Sequence, residues 1–183
     1  PMSHIPSKAH TRLQRLTVSA LCLALCLVLP FLTGQIPQIG GMLSPMHIPV
    51  YLCGFLCGPW WAGAVGLIAP LLRNLLFHMP PILTAVAMTF ELAAYGIAAG
   101  LFWHLFRRLT DGKFWVIYPA LLCSMLCGRV VWGLVRWILA AAGATEFSFA
   151  AFLSGAFVSA WPGILLHLVI VPPLVRAVYG RMD

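Results

Sequence analysis

The stretch from Met46 to Phe77 is almost unbroken apolar sequence, with Arg73 its single charged side chain. A soluble helix or strand has one face to bury and cannot absorb such a run, while at roughly 20 residues per crossing it is too long for one membrane span. Gly58-Pro59 divides it, which predicts one helix over about 46–58 and another over about 60–77, each near the lower length limit of a span. Comparable runs lie at about Thr11–Thr33, Ile82–Phe106, Phe114–Ala142 and Phe149–Val178. The chain is therefore expected to be all-α, a polytopic membrane protein built as a bundle of six transmembrane helices. Composition agrees: with 62% hydrophobic and only 8% charged residues, it lacks the charge that wets a soluble surface. The first run follows basic residues as a signal peptide would. It has no clean small-residue cleavage site and further spans follow, so it reads as a retained helix. With no repeat, low-complexity segment or linker in view, residues 1–183 read as a single transmembrane domain, of which 1–10 form a flexible cytoplasmic tail.

The net charge of +7 raises the possibility of a nucleic-acid partner, but the positions argue against one. Of the eleven Lys and Arg residues, all but three fall in the clusters Lys8, Arg12, Arg15; Arg107, Arg108, Lys113; and Arg176, Arg181. Each cluster flanks the end of an apolar run, the pattern of basic residues retained on the cytoplasmic side of a membrane. Six spans put both termini on that side together with the loop around Asp111-Gly112. The loops 34–45, 78–81 and 143–148, almost free of Lys and Arg, then face outward. The expected location is the plasma membrane, multi-pass, with the lipid bilayer as the partner of the apolar surface.

The six cysteines form three i, i+4 pairs, Cys22/Cys26, Cys53/Cys57 and Cys123/Cys127. Each pair shares a helix face; none is a C-x-x-C metal or redox motif, and the pairs read as small polarisable residues at helix contacts. No metal site or cofactor is expected. A phosphate loop is missing, since Gly112-Lys113 is followed by Phe114, and Ser154-Gly155 with His167 lacks the flanking glycines of a nucleophile elbow. The tryptophans near span ends, Trp60, Trp61, Trp103 and Trp115, read as an aromatic belt.

Ionisable groups inside a membrane are costly and usually face the bundle interior. Here they are Arg73, Glu91, Arg129 and Arg136, joined by His47 and His167. At about 1.5 Å of rise per residue, Glu91 and Arg129 both fall near mid-membrane and can pair, with Arg136 roughly 10 Å further out. Three arginines against one glutamate leave positive charge in the outer half. Arg129, Trp132 and Arg136 at i, i+3, i+7 form one stripe; Glu91 and Tyr95 form an i, i+4 pair, and Trp161 precedes Pro162-Gly163. Guanidinium and indole groups so arranged stack on a planar ring and grip an anion, while a carboxylate accepts hydrogens from an amino-substituted heterocycle. The substrate-binding candidates are thus Arg129, Trp132, Arg136, Glu91, Tyr95, Trp161, His47 and Arg73. The competing interpretation is a structural Arg–Glu pair with packing tryptophans. His47, between Pro45 and Pro49, could equally satisfy backbone groups freed by those prolines.

Taken together and in order, Ser44-Pro-Met-His-Ile-Pro-Val50, Gly58-Pro59, Pro70-Leu-Leu-Arg73, Met79-Pro80, Phe90-Glu-Leu-Ala-Ala-Tyr-Gly96, Gly128-Arg129 and Trp161-Pro-Gly-Ile164 resemble the S components of energy-coupling factor (ECF) transporters, which bind vitamins and related micronutrients. The resemblance spans nearly the whole chain. It implies a non-enzymatic six-helix subunit that takes its substrate from outside, under the loop between helices 1 and 2. It also implies as partners a membrane coupling (T) protein and two cytoplasmic ATPases. The AxxxA contact face of such proteins is matched by Ala20 and Ala24, a spacing that suits close helix contact. Within that family the polar residues suggest a planar nitrogen heterocycle, with or without a carboxylate, such as folate or a queuosine precursor. The alternatives are a non-aromatic anionic vitamin such as pantothenate, an intramembrane enzyme acting on a lipid-like substrate, and a purely structural subunit.

The charge pattern makes a topological prediction. Single cysteines introduced at Thr110 and at Gly40, in a background without the native thiols, should be labelled by an impermeant maleimide from the cytoplasmic and outer faces respectively. Labelling of both from one face would overturn the helix count.

Overall fold

A computed structural model describes residues 8–33, 42–110, 113–144, 146, 148–155 and 160–179, which are helical with no strand among them. Helix α1 (Lys8–Val28) passes into a 3-10 turn at Leu29–Thr33, where Pro30 offers no N–H to continue the ladder. Then come α2 (His47–Cys57), α3 (Pro59–Phe77) and α4 (Ile82–Leu109). A 3-10 turn at Phe114–Val116 leads into α5 (Ile117–Ala141), followed by the short α6 (Phe149–Leu153) and α7 (Trp161–Tyr179). Six of these build the bundle, and five (α1, α3, α4, α5 and α7, with their flanking turns) are long and apolar enough to cross a membrane.

The boundaries differ from expectation in three places. Helix α1 begins at Lys8, inside the expected tail, whose residues 1–7 lie outside the described residues, as do 34–41 of the first loop and Asp111-Gly112. The sixth expected span, 149–178, is represented by α6 and α7, with 156–159 between them outside the described residues. Helix α2, expected as a span, has 11 residues, about 16 Å, or half the hydrocarbon thickness.

That short helix is the centre of the bundle. All but Leu52 and Leu56 of its residues are buried, as a helix apolar on every side demands, and it packs on α1, α3, α4 and α7. The segment before it is held by α7 and α1. The Met42 and Leu43 carbonyls lie against Gly163, near the start of α7, and the Cys26 thiol of α1 donates to the Met46 carbonyl at 3.5 Å. Irregular backbone survives within a bundle where protein, not lipid, surrounds it. Gly58 lets α2 turn directly into α3: its φ of 97° is open to glycine alone at little cost, and Pro59 pre-sets the first turn of α3.

Contacts fix the directions of the helices. Ser19 meets Cys53 (3.4 Å) and Cys26 meets Met46, so α1 and α2 are antiparallel; Cys22, Cys26, Cys53 and Cys57 are buried free thiols along this seam. Helices α3 and α4 approach almost backbone to backbone. A Cβ on Gly66 would fall 2.5 Å from the Leu92 carbonyl carbon and Ala93 amide nitrogen, and one on Gly96 2.8 Å from the Ala62 backbone. Lipid offers no hydrophobic drive to associate, and such small-residue seams replace it with close dispersion contact.

Arg73, expected in the binding site, instead closes α1. Its guanidinium donates to the Leu27 carbonyl, one of the carbonyls left open at a helix C-terminus, and lies 4.9 Å from the Phe31 ring and 5.4 Å from that of Phe77. Trp103, expected in the aromatic belt, is buried between Phe55 and Phe114, each 5.7 Å away, whereas Trp60 and Trp115 are exposed. The basic groups gather at one end: Arg15, Arg107 and Arg108 all act on His104, and Arg176 stands 5.9 Å over Phe114. The perimeter is apolar, with Leu21, Leu75, Leu101, Leu134 and Val169 all exposed.

Valine at position 66 should force α3 off α4 and cost about 1–3 kcal/mol. Gly66→Val should therefore melt earlier than wild type in a detergent size-exclusion thermal assay, while Leu67→Val on the lipid face should not. Equal melting curves would refute the seam.

Candidate functional site

Two polar side chains one turn apart on α4 organise the site. Tyr95 Oη donates to Glu91 Oε1 at 2.9 Å, and Arg129 Nη1 on α5 donates to the same oxygen at 3.1 Å. The carboxylate side chain is 3% exposed and the guanidinium 17%, so each offsets the other's desolvation. Gly128 permits this approach, since a Cβ there would collide with the Tyr95 ring. His47 Nε2 stands 3.7 Å from Glu91 Oε1, beyond hydrogen-bond length.

The turn before α2 adds a second centre. Ser44 has φ 46°, uncommon for a side-chain-bearing residue. Its carbonyl is approached by the His47 amide at 3.0 Å, by His47 Nδ1 at 3.1 Å and by His167 Nε2 of α7 at 3.3 Å. Four rings close a circuit: His47 to Tyr95 (4.9 Å), Tyr95 to Tyr51 (5.3 Å), Tyr51 to His167 (5.5 Å) and His167 to His47 (5.9 Å). They face a cavity of about 290 Å³, which Ser44 and Arg129 also line; Leu122, Met125, Leu126, Ala160, Gly163 and Ile164 form its apolar side. Among the described residues no group of three or more His, Cys, Asp or Glu side chains is placed to hold a metal ion.

Of the residues expected from sequence, His47, Tyr95 and Arg129 line this cavity and Glu91 lies behind them, holding two of them in place. Trp132 and Arg136 share the α5 face with Arg129 but do not line the cavity. Phe152, next to Leu153 at the end of α6, stacks on Trp132 at 5.7 Å, and the Arg136 guanidinium lies 6.0 Å from the Trp132 ring. Trp161 is 59% exposed; its neighbours Gly163 and Ile164 reach the cavity instead. Arg73 caps α1, as described above. Sequence reasoning overlooked Tyr51, one turn beyond His47, although the i, i+4 spacing was visible. It counted His167 among the intramembrane polar groups without assigning it to the site, and Ser44 entered only as the first residue of a motif, because a carbonyl that gathers two histidines has no side-chain signature.

The family model of the ECF transporter substrate-specific component matches residues 14–175. The chain belongs to this family. No curated protein and no solved structure matches it significantly. As an S component it is a multi-pass membrane protein and the substrate-binding subunit of an ECF importer. S components are transporter subunits and not enzymes; membership implies a small-molecule substrate and association with the T protein and ATPase module.

Removing one partner of a buried ion pair costs about 3–5 kcal/mol. Because Arg129 borders the cavity, Glu91→Leu should fall at the lower end of that range and lower the detergent melting temperature. Adding Arg129→Leu should restore part of the loss. A double variant less stable than the single one would refute the pairing.

Proposed function

We propose that this S component captures a compact planar nitrogen heterocycle in the Ser44–Arg129 cavity, from outside the cell, for delivery by the T protein and its ATPases. The observation behind this is the closed circuit of His47, Tyr51, Tyr95 and His167 beside one arginine. Aromatic faces suit a flat ring. Arg129 spends one hydrogen on Glu91 and keeps donors from its planar fork for a carbonyl or carboxylate on the ligand. The apolar side opposite suits a ring face better than the flexible polar chain of a pantothenate-like ligand. At about 290 Å³ the cavity lies at the lower end of the small-molecule range, which favours one or two fused rings over a conjugate of folate length.

In the proposed orientation the basic end, with Arg15, Arg107, Arg108 and Arg176, faces the cytoplasm, and the turn at Ser44 is approached from outside. Ala20 and Ala24 are both exposed on α1, which supports their assignment as the face that meets the T protein.

Native mass spectrometry of gently purified protein should reveal a retained planar heterocycle. Against that compound, Tyr51→Leu and Arg129→Lys should each weaken binding about tenfold, and Arg136→Ala should change it less than twofold. Ala20→Leu should stop ATP-driven uptake in proteoliposomes carrying the whole complex, with affinity retained. If Arg136→Ala weakens binding as much as Tyr51→Leu does, the site lies further out along α5; if Ala20→Leu abolishes binding, α1 is not the docking face.

A further inference from the structure

Among the described residues, one buried polar atom near the cavity has no hydrogen-bond partner: Nε2 of His47. The residue is 4% exposed and lines the cavity, so an unmet polar group there is costly unless a ligand meets it. The Ser44 carbonyl determines what that atom offers. A carbonyl oxygen can only accept, so the His47 Nδ1 that approaches it at 3.1 Å must bear the proton, and so must His167 Nε2 at 3.3 Å. In a neutral imidazole with Nδ1–H, the other nitrogen is a bare acceptor. Across 3.7 Å from it stands Glu91 Oε1, a second acceptor, already taking hydrogens from Tyr95 and Arg129. Two lone-pair atoms with no proton between them repel.

We infer that His47 is a specificity-determining residue that selects ligands presenting an N–H donor, and that the Ser44 carbonyl enforces this by fixing the imidazole tautomer. This deepens the heterocycle reading and rests on it. The ligand class is then an amino-substituted heterocycle: its amino edge meets His47 Nε2, and its carbonyl edge meets the Arg129 fork. The cavity thereby offers one acceptor and one cationic donor group with defined roles, and a ligand with acceptors on both edges would leave His47 unmet. His167, pinned as the Nε2–H form, contributes its ring to the aromatic circuit and holds the Ser44 turn from α7.

The test has two arms. In protein carrying 15N-histidine, reconstituted in lipid nanodiscs, solid-state NMR should show the signal that vanishes in His47→Gln to be the neutral Nδ1–H form. It should likewise show the one that vanishes in His167→Gln to be Nε2–H. An Nε2–H or doubly protonated His47 removes the acceptor and overturns the inference. In the second arm, calorimetry compares 2-amino-3-methylpyrimidin-4-one with 3-methylpyrimidin-4-one, which lacks the amino group and, with its ring nitrogen methylated, has no N–H to offer. Wild type should prefer the amino compound about tenfold, as expected for one buried hydrogen bond, and His47→Leu should reduce the preference to within about twofold. Equal affinities in wild type, a preference that persists in His47→Leu, or no binding of either probe would overturn it. A retained native ligand that is planar but has no N–H would also overturn it while leaving the heterocycle reading intact; a retained non-aromatic ligand would sink both.

Discussion

A carboxylate in the middle of a membrane protein must be compensated where it stands, and Glu91 is met by the Tyr95 hydroxyl on its own helix and the Arg129 guanidinium on α5. Much of the architecture around the cavity follows from this requirement. The pair sets how far α5 may slide along α4. It also requires Gly128 beneath the Tyr95 ring, because any larger residue would push the two helices apart before Arg129 came within reach. One consequence is that Arg129 is held with part of its fork beside the cavity. The charge that stabilises the helix pair is thus the same charge that can read a ligand.

The second constraint is steric. With lipid outside, burial of apolar area does not draw helices together, so the bundle depends on close approach. The Gly66–Ala93 and Gly96–Ala62 contacts bring α3 onto α4, and α2 fits among α1, α3, α4 and α7, with Gly54 letting its backbone approach that of α4 at Gly96. The turn at Ser44–Met46 that leads into α2 places a backbone carbonyl, that of Ser44, between His47 and His167. Backbone strain at functional sites persists where surrounding structure over-determines it, and the φ of 46° at Ser44 is held by contacts from both α2 and α7.

In the proposed site the binding function and the membrane architecture meet at these two centres. One supplies a paired cation and the other, in the proposed tautomer, an imidazole acceptor, and four rings join them. The outward surface has a different composition, with leucines and valines facing lipid and the basic residues collected at one end. Arg73 and Arg136, which look like further ligand groups in a linear reading, are occupied elsewhere. One caps α1 and packs on two phenylalanines; the other lies over Trp132.

The sequence by itself determined the solvent, the helical class and the family. Long apolar runs admit no other backbone in lipid, Gly58-Pro59 marks a break whatever the tertiary context, and a distributed set of weak motifs in order is still specific. It also exposed the Glu91–Arg129 pair, because intramembrane charges of opposite sign at matching depth have few alternatives to each other. Tertiary structure decided which polar residues share a cavity. The i, i+3, i+7 spacing puts Arg129, Trp132 and Arg136 on one face, but periodicity cannot say how far along that face a neighbouring segment covers it, and Phe152 covers Trp132. Nor does any residue pattern announce that the Ser44 carbonyl would collect two histidines from segments more than a hundred residues apart in the chain, since a backbone acceptor is present at every position and only the packing of α7 against α2 selects this one.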